Sequence, residues 1–464
     1  MTPYGRTTLD DALKRVVVAL KPGNKFPHSL WASQFLNYVR GEGRDAYGVL
    51  PYPGDINSVS NFSARERRFM FVPREHGSGG KHPFDPHVYL DDFGSFQPFF
   101  NQRLGRELEG KTVYIATTPS TDMAWRPGEM VFNMAQATQT AKDLGAERVI
   151  AVFSEFPFAR QDRGVRSKYL RDLAVGGIEK DRLKHGGQTD YVSVVLRALM
   201  PNGCDGVVTM HHHSGHFADT ATACLEELSI EPQLPFAYNL SPSPLIARYL
   251  VNGDGNGNNV LDEDDRANNG QGILFIAPDI GALPFVKEVR EMSGYTNSGL
   301  AYINKVRTVP NDPSSLRGEL VFDDSCDQSY EGKTGIILDD MIDKGGTLAN
   351  TLKQLPDGIR RFVVYATHGL FNEGAEERMR THSRIDDLIV MDTRPSRLRV
   401  LDPGMQTKLT ILRPGSYVAH ALAHCVEPGR DPHAFYSGIF EKDPSFFDSL
   451  VSVRTFHNEK KFHD

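Results

Sequence analysis

The stretch Gly335–Asn350, GIILDDMIDKGGTLAN, gathers three kinds of chemical group within one short span. A short apolar run ends on Asp339 and Asp340, then come Asp343 and Lys344, a Gly345-Gly346-Thr347 turn, and a helical pattern. Adjacent glycines let backbone N–H groups approach an anion closely, Thr347 can cap the helix, and the helix N-terminus adds partial positive charge. Such a loop could hold a phosphate. The three carboxylates cannot, so their partners are sugar hydroxyls or a divalent cation. A sugar phosphate satisfies both halves; the plain alternative is a strand-to-helix turn with solvated acids.

Four further clusters carry chemistry. Phe156–Arg171, FPFARQDRGVRSKYLR, sets Arg160, Arg163, Arg166, Lys168 and Arg171 beside Gln161 and Asp162, directly after the apolar run RVIAVF. Guanidinium groups engage phosphate oxygens in a bidentate way, so this is either a polyphosphate clamp or a solvated basic loop. His211–Phe217, HHHSGHF, offers imidazoles for a metal. Alternate side chains of an extended strand point to opposite faces, so one or two ligands is the attainable number. His211 or His212 then serves structure, and His213 is the metal candidate. Asp279 in APDIGAL ends another apolar run, and Lys305 and Arg307 in INKVRTV share one face of an extended segment. Each alone reads as a solvated acid or a charged strand face. Together they supply an acid for magnesium and two cations for developing phosphoryl charge.

The elements that must position these groups come from an alternating pattern. TVYIAT, RVIAVF, GVVTM, ILFIAPD, LAYIN, GIILDD, RFVVYAT, DLIVMD and KLTIL read as strands, and the segments between them carry helical periodicity. This predicts α/β architecture with mostly parallel sheets, with a break near residue 240 separating two such domains. Ligands in such sheets bind beyond the carboxyl ends of the strands, where the motifs fall. The expected organisation is an N-terminal extension over 1–85, a first domain over 86–238, a second over 239–425 and a tail over 426–464. Within the extension, Leu9–Lys21 and Leu30–Arg40 have helical spacing.

The 464 residues carry 52 Lys plus Arg against 59 Asp plus Glu, a net charge of -7. That offers no global attraction to nucleic acid or an anionic membrane. The four cysteines form no CxxC pair, Val16–Leu20 is too short for a signal core, and no run approaches a membrane span. A reducing cytoplasm is the expected setting. Asn252–Asp265, NGDGNGNNVLDEDD, has oxygen ligands spaced somewhat like a calcium loop but fits neither register, and reads as a polar surface insertion. Gly332-Lys333-Thr334 ends like a P-loop, yet the opening glycine falls at Asp327 and a strand follows.

In order and approximate spacing, FARQDRGVRS, VVTMHHH, APDIGAL, INKVR, ILDDMIDKGGT, YATHGLFNEGAEERM, IDDLIVMDT and SGIFE resemble the ribose-phosphate pyrophosphokinases, over about residues 88 to 441. The DDMIDKGGT loop is shared with type I phosphoribosyltransferases, whereas ARQDR and YATHG are characteristic of the synthases. The resemblance implies two phosphoribosyltransferase-like domains and transfer of the ATP β,γ-diphosphoryl group to the 1-hydroxyl of ribose 5-phosphate, leaving AMP. It implies Asp339, Asp340 and Asp343 at the ribose, and Lys344, Gly345, Gly346 and Thr347 at its 5-phosphate. Arg160 and Gln161, with Asp162 and Arg163 of the same motif, fall to ATP. His213 and Asp279 fall to Mg2+, and Lys305 and Arg307 to a mobile catalytic loop. Assembly into a homo-oligomer is implied in the same way.

Departures from the family pattern define the alternatives. Lys344 stands where the family usually has Thr, His211 and His212 where it has Asp and Leu, and LDDFGS at Leu90–Ser95 lacks the glutamate of its nucleotide segment. A second reading keeps the transfer but moves it to a larger ribose 5-phosphate ester such as ADP-ribose. A third, a phosphoribosyltransferase consuming PRPP, leaves ARQDR and INKVR without a task. A fourth, a non-catalytic synthase-associated subunit, is opposed by Lys305 and Arg307.

Overall fold

The structure, a computed structural model, describes residues 16–20, 72–73, 87–90, 96–98, 112–117, 127–162, 188–255, 257–307, 316–372, 374–394, 401–426, 428–450 and 452–455. The chain divides into two compact units, Met1–Ser241 with Gly415–Phe435, and Pro242–Pro414 with Tyr436–Asp464.

The first unit holds strands β1 (Val16–Leu20), β2 (Val72–Pro73), β3 (His87–Leu90), β4 (Phe96–Pro98), β5 (Thr112–Thr117), β6 (Arg148–Phe153), β7 (Gly206–Met210) and β8 (Ala237–Leu240). Its main sheet runs β1-β5-β6-β7-β8, parallel throughout, and β2-β3-β4 form a small separate sheet. β7 is buried at every position and β6 at all but its first, as expected of parallel strands covered on both faces. Helices α1 (Pro127–Asp143), α2 (Tyr191–Leu199) and α3 (Phe217–Leu228) contribute Met134, Leu196 and Phe217 to the core around Val149, Phe153 and Val207.

Two expectations change here. Leu9–Lys21 is not a helix over Val16–Leu20: those residues pair in parallel with β5, and the β-branched run VVV suits a strand, while a short apolar run carries no decisive period. The remainder of that segment and Leu30–Arg40 lie outside the described residues. The second domain also does not run unbroken to residue 425, because Gly415–Phe435 belongs with the first unit. There a helix over Gly415–Ala421 runs into a π turn at Leu422–Val426. Carbonyls near a helix end need outside donors. Tyr114 donates to Leu422 O (3.3 Å), and Arg148 and Tyr238 both donate to Val426 O (3.4 Å). His420 is buried and stacked on His424 at 4.0 Å; burial first, then the His424 charge, hold its imidazole well below the usual range.

The second unit holds β9 (Ile273–Ala277), β10 (Gly299–Arg307), β11 (Leu316–Phe322), β12 (Thr334–Ile342), β13 (Arg361–Gly369), β14 (Ile385–Met391), β15 (Leu409–Arg413) and β16 (Ser452–Thr455), in the order β11-β10-β9-β12-β13-β14-β15-β16. The strands from β10 to β15 are parallel, and β11 and β16 add antiparallel edges. Helices include α9 (Leu283–Ser293), α10 (Gly346–Gln354) and α11 (Ala375–Thr381).

The acidic insertion is tied into this unit by ion pairs. Asp254 accepts from the Asn258 backbone and side-chain amides at 3.1 and 2.8 Å. Asp265, almost fully buried, pairs with Arg360 at 2.6 Å and Arg361 at 2.9 Å and forms a reciprocal capping box with Asp262. Removing one side of a buried pair leaves uncompensated charge, so Asp265→Ala is expected to cost about 3 to 5 kcal/mol. Thermal or urea melting reads this, and a loss below ~1 kcal/mol would show that Asp262 on Arg360 and Asp387 on Arg361 suffice to hold the two arginines. Lys333 of the P-loop look-alike is buried and paired with Asp327 at 2.6 Å, immediately before β12.

Candidate functional site

β9 has β10 on one side and β12 on the other, so the chain leaves β9 in one direction and later returns on the opposite flank. A crevice forms at the carboxyl ends of strands at such a switch point. Asp279 lies just past the end of β9. Its Oδ1 accepts from the Gly281 N–H at 3.0 Å and the Ala282 N–H at 3.2 Å, which fixes the carboxylate ahead of α9. Asp339 and Asp340 lie within β12 near its carboxyl end, with Asp339 opposite Ala366 of β13. The Asp340 N–H donates to Asp339 Oδ1 at 2.9 Å. Burial, then the Asp340 carboxylate, and more weakly the Asp279 carboxylate, hold Asp339 well above the usual carboxylate range. These three acids therefore share one electrostatic neighbourhood.

The loop after β12 turns through Asp343 and Lys344 to Gly345, which caps α10 at φ +70°. That backbone favours glycine, and a Cβ there would also stand 2.8 Å from Met379 Cε. A Cβ at Gly346 would meet no atom within 4 Å, so the space over the first turn of α10 is open. Lys344, Gly346 and Thr347 are exposed. The loop's carbonyl side is held from behind: Ile342 O accepts from the Leu370 and Phe371 N–H groups at 3.0 Å each, and Asp343 O accepts from the Asn372 N–H at 3.0 Å. The Asn372 amide donates to Asp343 Oδ1 at 2.6 Å, and Arg378 Nη1 donates to Lys344 O at 2.6 Å.

In the first unit, Arg160, Gln161 and Asp162 follow β6 and His213 follows the neighbouring β7. Arg160 and Gln161 are exposed. The Gln161 backbone joins the Phe158 carbonyl and the Tyr191 N–H, both at 2.8 Å, which anchors the turn to α2. Arg163 lies outside the described residues. His212 is buried, its ring stacked on Phe217 at 4.4 Å, and its Nδ1 accepts from the Ser214 N–H at 3.0 Å. His213 is exposed. Lys305 and Arg307 stand on β10, opposite Gly318 and Leu316 of β11, and the stretch 308–315 that follows lies outside the described residues. Through Arg307 the backbone is a strand.

Asn372 and Arg378 were not identified from the sequence. They belong to YATHGLFNEGAEERM, which the resemblance marks, but no local period links them to a loop about thirty residues earlier. Among the described residues, no three His, Cys, Asp or Glu side chains form a group able to hold a metal ion, and no helix is long and apolar enough to cross a membrane.

Parallel α/β sheets with a glycine loop and acids at a switch point define a phosphoribosyltransferase-like protein. The profile of the phosphoribosyl synthetase-associated domain matches residues 325–411. A ribose-phosphate pyrophosphokinase of Shewanella oneidensis is 30% identical over 267 residues, 57% of this chain and 67% of that protein. Another from Methanothermobacter thermautotrophicus is 26% identical over 274 residues, 59% and 74% of the two chains. The crystal structure of phosphoribosylpyrophosphate synthetase from Mycobacterium smegmatis shares the fold, with TM-score 0.57 and 16% identity over 89% of this chain and all of that one. The chain belongs to the ribose-phosphate pyrophosphokinase family.

Proposed function

We propose that the protein transfers the diphosphoryl group of ATP to the 1-hydroxyl of ribose 5-phosphate, giving PRPP and AMP. The observation that carries this reading is the strand-loop-helix of β12 and α10, where clustered acids adjoin a glycine loop at a helix N-terminus. Asp339, Asp340 and Asp343 accept ribose hydroxyls, and the backbone N–H groups from Gly345 to Thr347, with Lys344, take the 5-phosphate. Arg160, Gln161, Asp162 and Arg163 serve ATP. The 1-hydroxyl attacks the β-phosphorus and gives up its proton to solvent, the bond from that phosphorus to the α-phosphate bridging oxygen breaks, and AMP leaves with the bonding pair. Lys305 and Arg307 neutralise the charge that develops.

Magnesium fits the residues present. Burial, and after it the neighbouring Asp340 carboxylate, raise the Asp339 carboxyl; a divalent cation beside the cluster would offset that carboxylate repulsion, and magnesium needs only one or two protein ligands beside substrate phosphates and water. In the second unit Asp279 would hold it, and bound there it would offset phosphoryl charge.

The full chain incubated with ATP, magnesium and ribose 5-phosphate is expected to form AMP and PRPP, read by phosphorus NMR. ADP as the nucleotide product, or no AMP with any divalent metal, would overturn the reading. The exposure of Lys344 on the loop favours one variant of it, a larger ester such as ADP-ribose as acceptor. A higher kcat/KM on that ester than on ribose 5-phosphate in the same assay would select it.

A further inference from the structure

The segment from Leu370 to Arg378 contacts the acceptor loop at three successive peptide units. It donates to the carbonyls of Ile342, Asp343 and Lys344, and its Asn372 also holds the Asp343 carboxylate. In a trans peptide the carbonyl and the following N–H point in opposite directions. With those three carbonyls drawn to one side, the N–H groups of Asp343, Lys344 and Gly345 are directed to the other. Gly345 then continues through its left-handed turn into α10, where its own carbonyl accepts from the Ala349 N–H at 3.0 Å. The two halves of the loop thus divide their labour: carbonyls are satisfied from behind, and donors are presented in front.

Ile342 O and Asp343 O are held by main-chain N–H groups, whereas the two side-chain contacts, to Lys344 O and the Asp343 carboxylate, come from polar, exposed residues rather than core ones. Asn372 and Arg378 face solvent, while their neighbours Phe371, Ala375 and Met379 are buried and anchor the segment. The Arg378 guanidinium carries a full charge to a neutral carbonyl at 2.6 Å, which polarises the Lys344–Gly345 peptide and makes the Gly345 N–H a stronger donor. Asn372 sets the rotation of the Asp343 carboxylate by occupying Oδ1.

We propose that Asn372 and Arg378 are positioning residues for sugar-phosphate binding, acting through the Asp343–Gly345 backbone and the Asp343 carboxylate. This rests on the reading of that loop as the acceptor site. Arg378→Ala is expected to raise KM for ribose 5-phosphate about tenfold or more, the worth of one hydrogen bond to a charged group, with KM for ATP within about twofold. Arg378→Lys should recover part of the loss. Asn372→Asp sets a second carboxylate against Asp343, and two such groups cannot both ionise cheaply. Its KM for ribose 5-phosphate should exceed that of the unaltered chain at pH 8 and approach it as pH falls.

Steady-state kinetics at several pH values, with circular-dichroism melts of each variant, read these effects. An Arg378→Ala chain with unaltered KM overturns the proposal, as does an equal loss for both substrates accompanied by a lowered melting temperature. For Asn372→Asp, a KM ratio independent of pH overturns it. If the unaltered chain itself forms no AMP, the acceptor-site reading fails and the positioning role falls with it. An active unaltered chain with indifferent variants defeats the positioning role alone.

Discussion

Replacing Lys305 and Arg307 together by alanine is expected to reduce kcat by ~10³ to 10⁵, the range found when a cation is withdrawn from a phosphoryl transition state. The two KM values should move by only a few-fold. In-line transfer leaves little covalent chemistry to the protein, so cations that engage the developing negative charge lower the barrier and add little to ground-state binding. Both residues occupy alternate positions at the end of β10, in the stretch paired to β11. Rapid-quench measurement of AMP formation with both substrates saturating separates chemistry from release. A double variant retaining kcat within about tenfold would remove these cations from the chemical step.

Asp339→Asn is expected to stabilise the fold at neutral pH and to weaken turnover. Asp339 is raised above the ordinary carboxylate range by burial and by Asp340, so the native chain keeps a proton that the unfolded chain has already lost. Between the ordinary carboxylate pKa near ~3.9 and the raised native value, folding therefore takes up protons, and stability falls as pH rises through that window. Asparagine does not titrate. The variant's advantage should be absent below about pH 4, grow through the window and level off above it, with each ~1 kcal/mol worth about 2 to 4 °C in Tm for a unit of this size. In the same variant, kcat/KM for the sugar phosphate should drop about a hundredfold, because an oxygen that serves the sugar hydroxyls is replaced by an amide NH2, which cannot accept. Calorimetric melts from pH 4 to 8 test the first half. A Tm difference that is flat with pH, or negative throughout, would show that Asp339 is not the group carrying the excess charge.

How far the chain could be read depends on the range of the interactions. β12, its loop and α10 are written in consecutive residues, so the apolar run, glycine pair and helical period locate them within a residue or two. The interior strands of both sheets announce themselves as short apolar runs because parallel strands are buried on both faces. The antiparallel edges β11 and β16 lack that signature, since an edge faces solvent on one side, and they were not anticipated. Val16–Leu20 shows the opposite ambiguity: its apolar content is plain, but its partner lies almost a hundred residues away at β5. The Asp265 ion pairs and the Arg378 contact to Lys344 are likewise made by side chains whose spacing along the chain encodes nothing about their meeting.

Gly415–Phe435 has a consequence for the order in which the protein is made. The first unit is complete only when this segment docks, yet all of Pro242–Pro414 is synthesised between the two parts. At ~5 to 20 residues per second that interval is on the order of ten to thirty seconds. During it, Tyr114, Arg148 and Tyr238 have not met the carbonyls of Leu422 and Val426 that they reach in the finished chain. The nascent first unit thus gains these contacts only after the strands β9 to β15 of the second have been synthesised, although each sheet is continuous within its own unit.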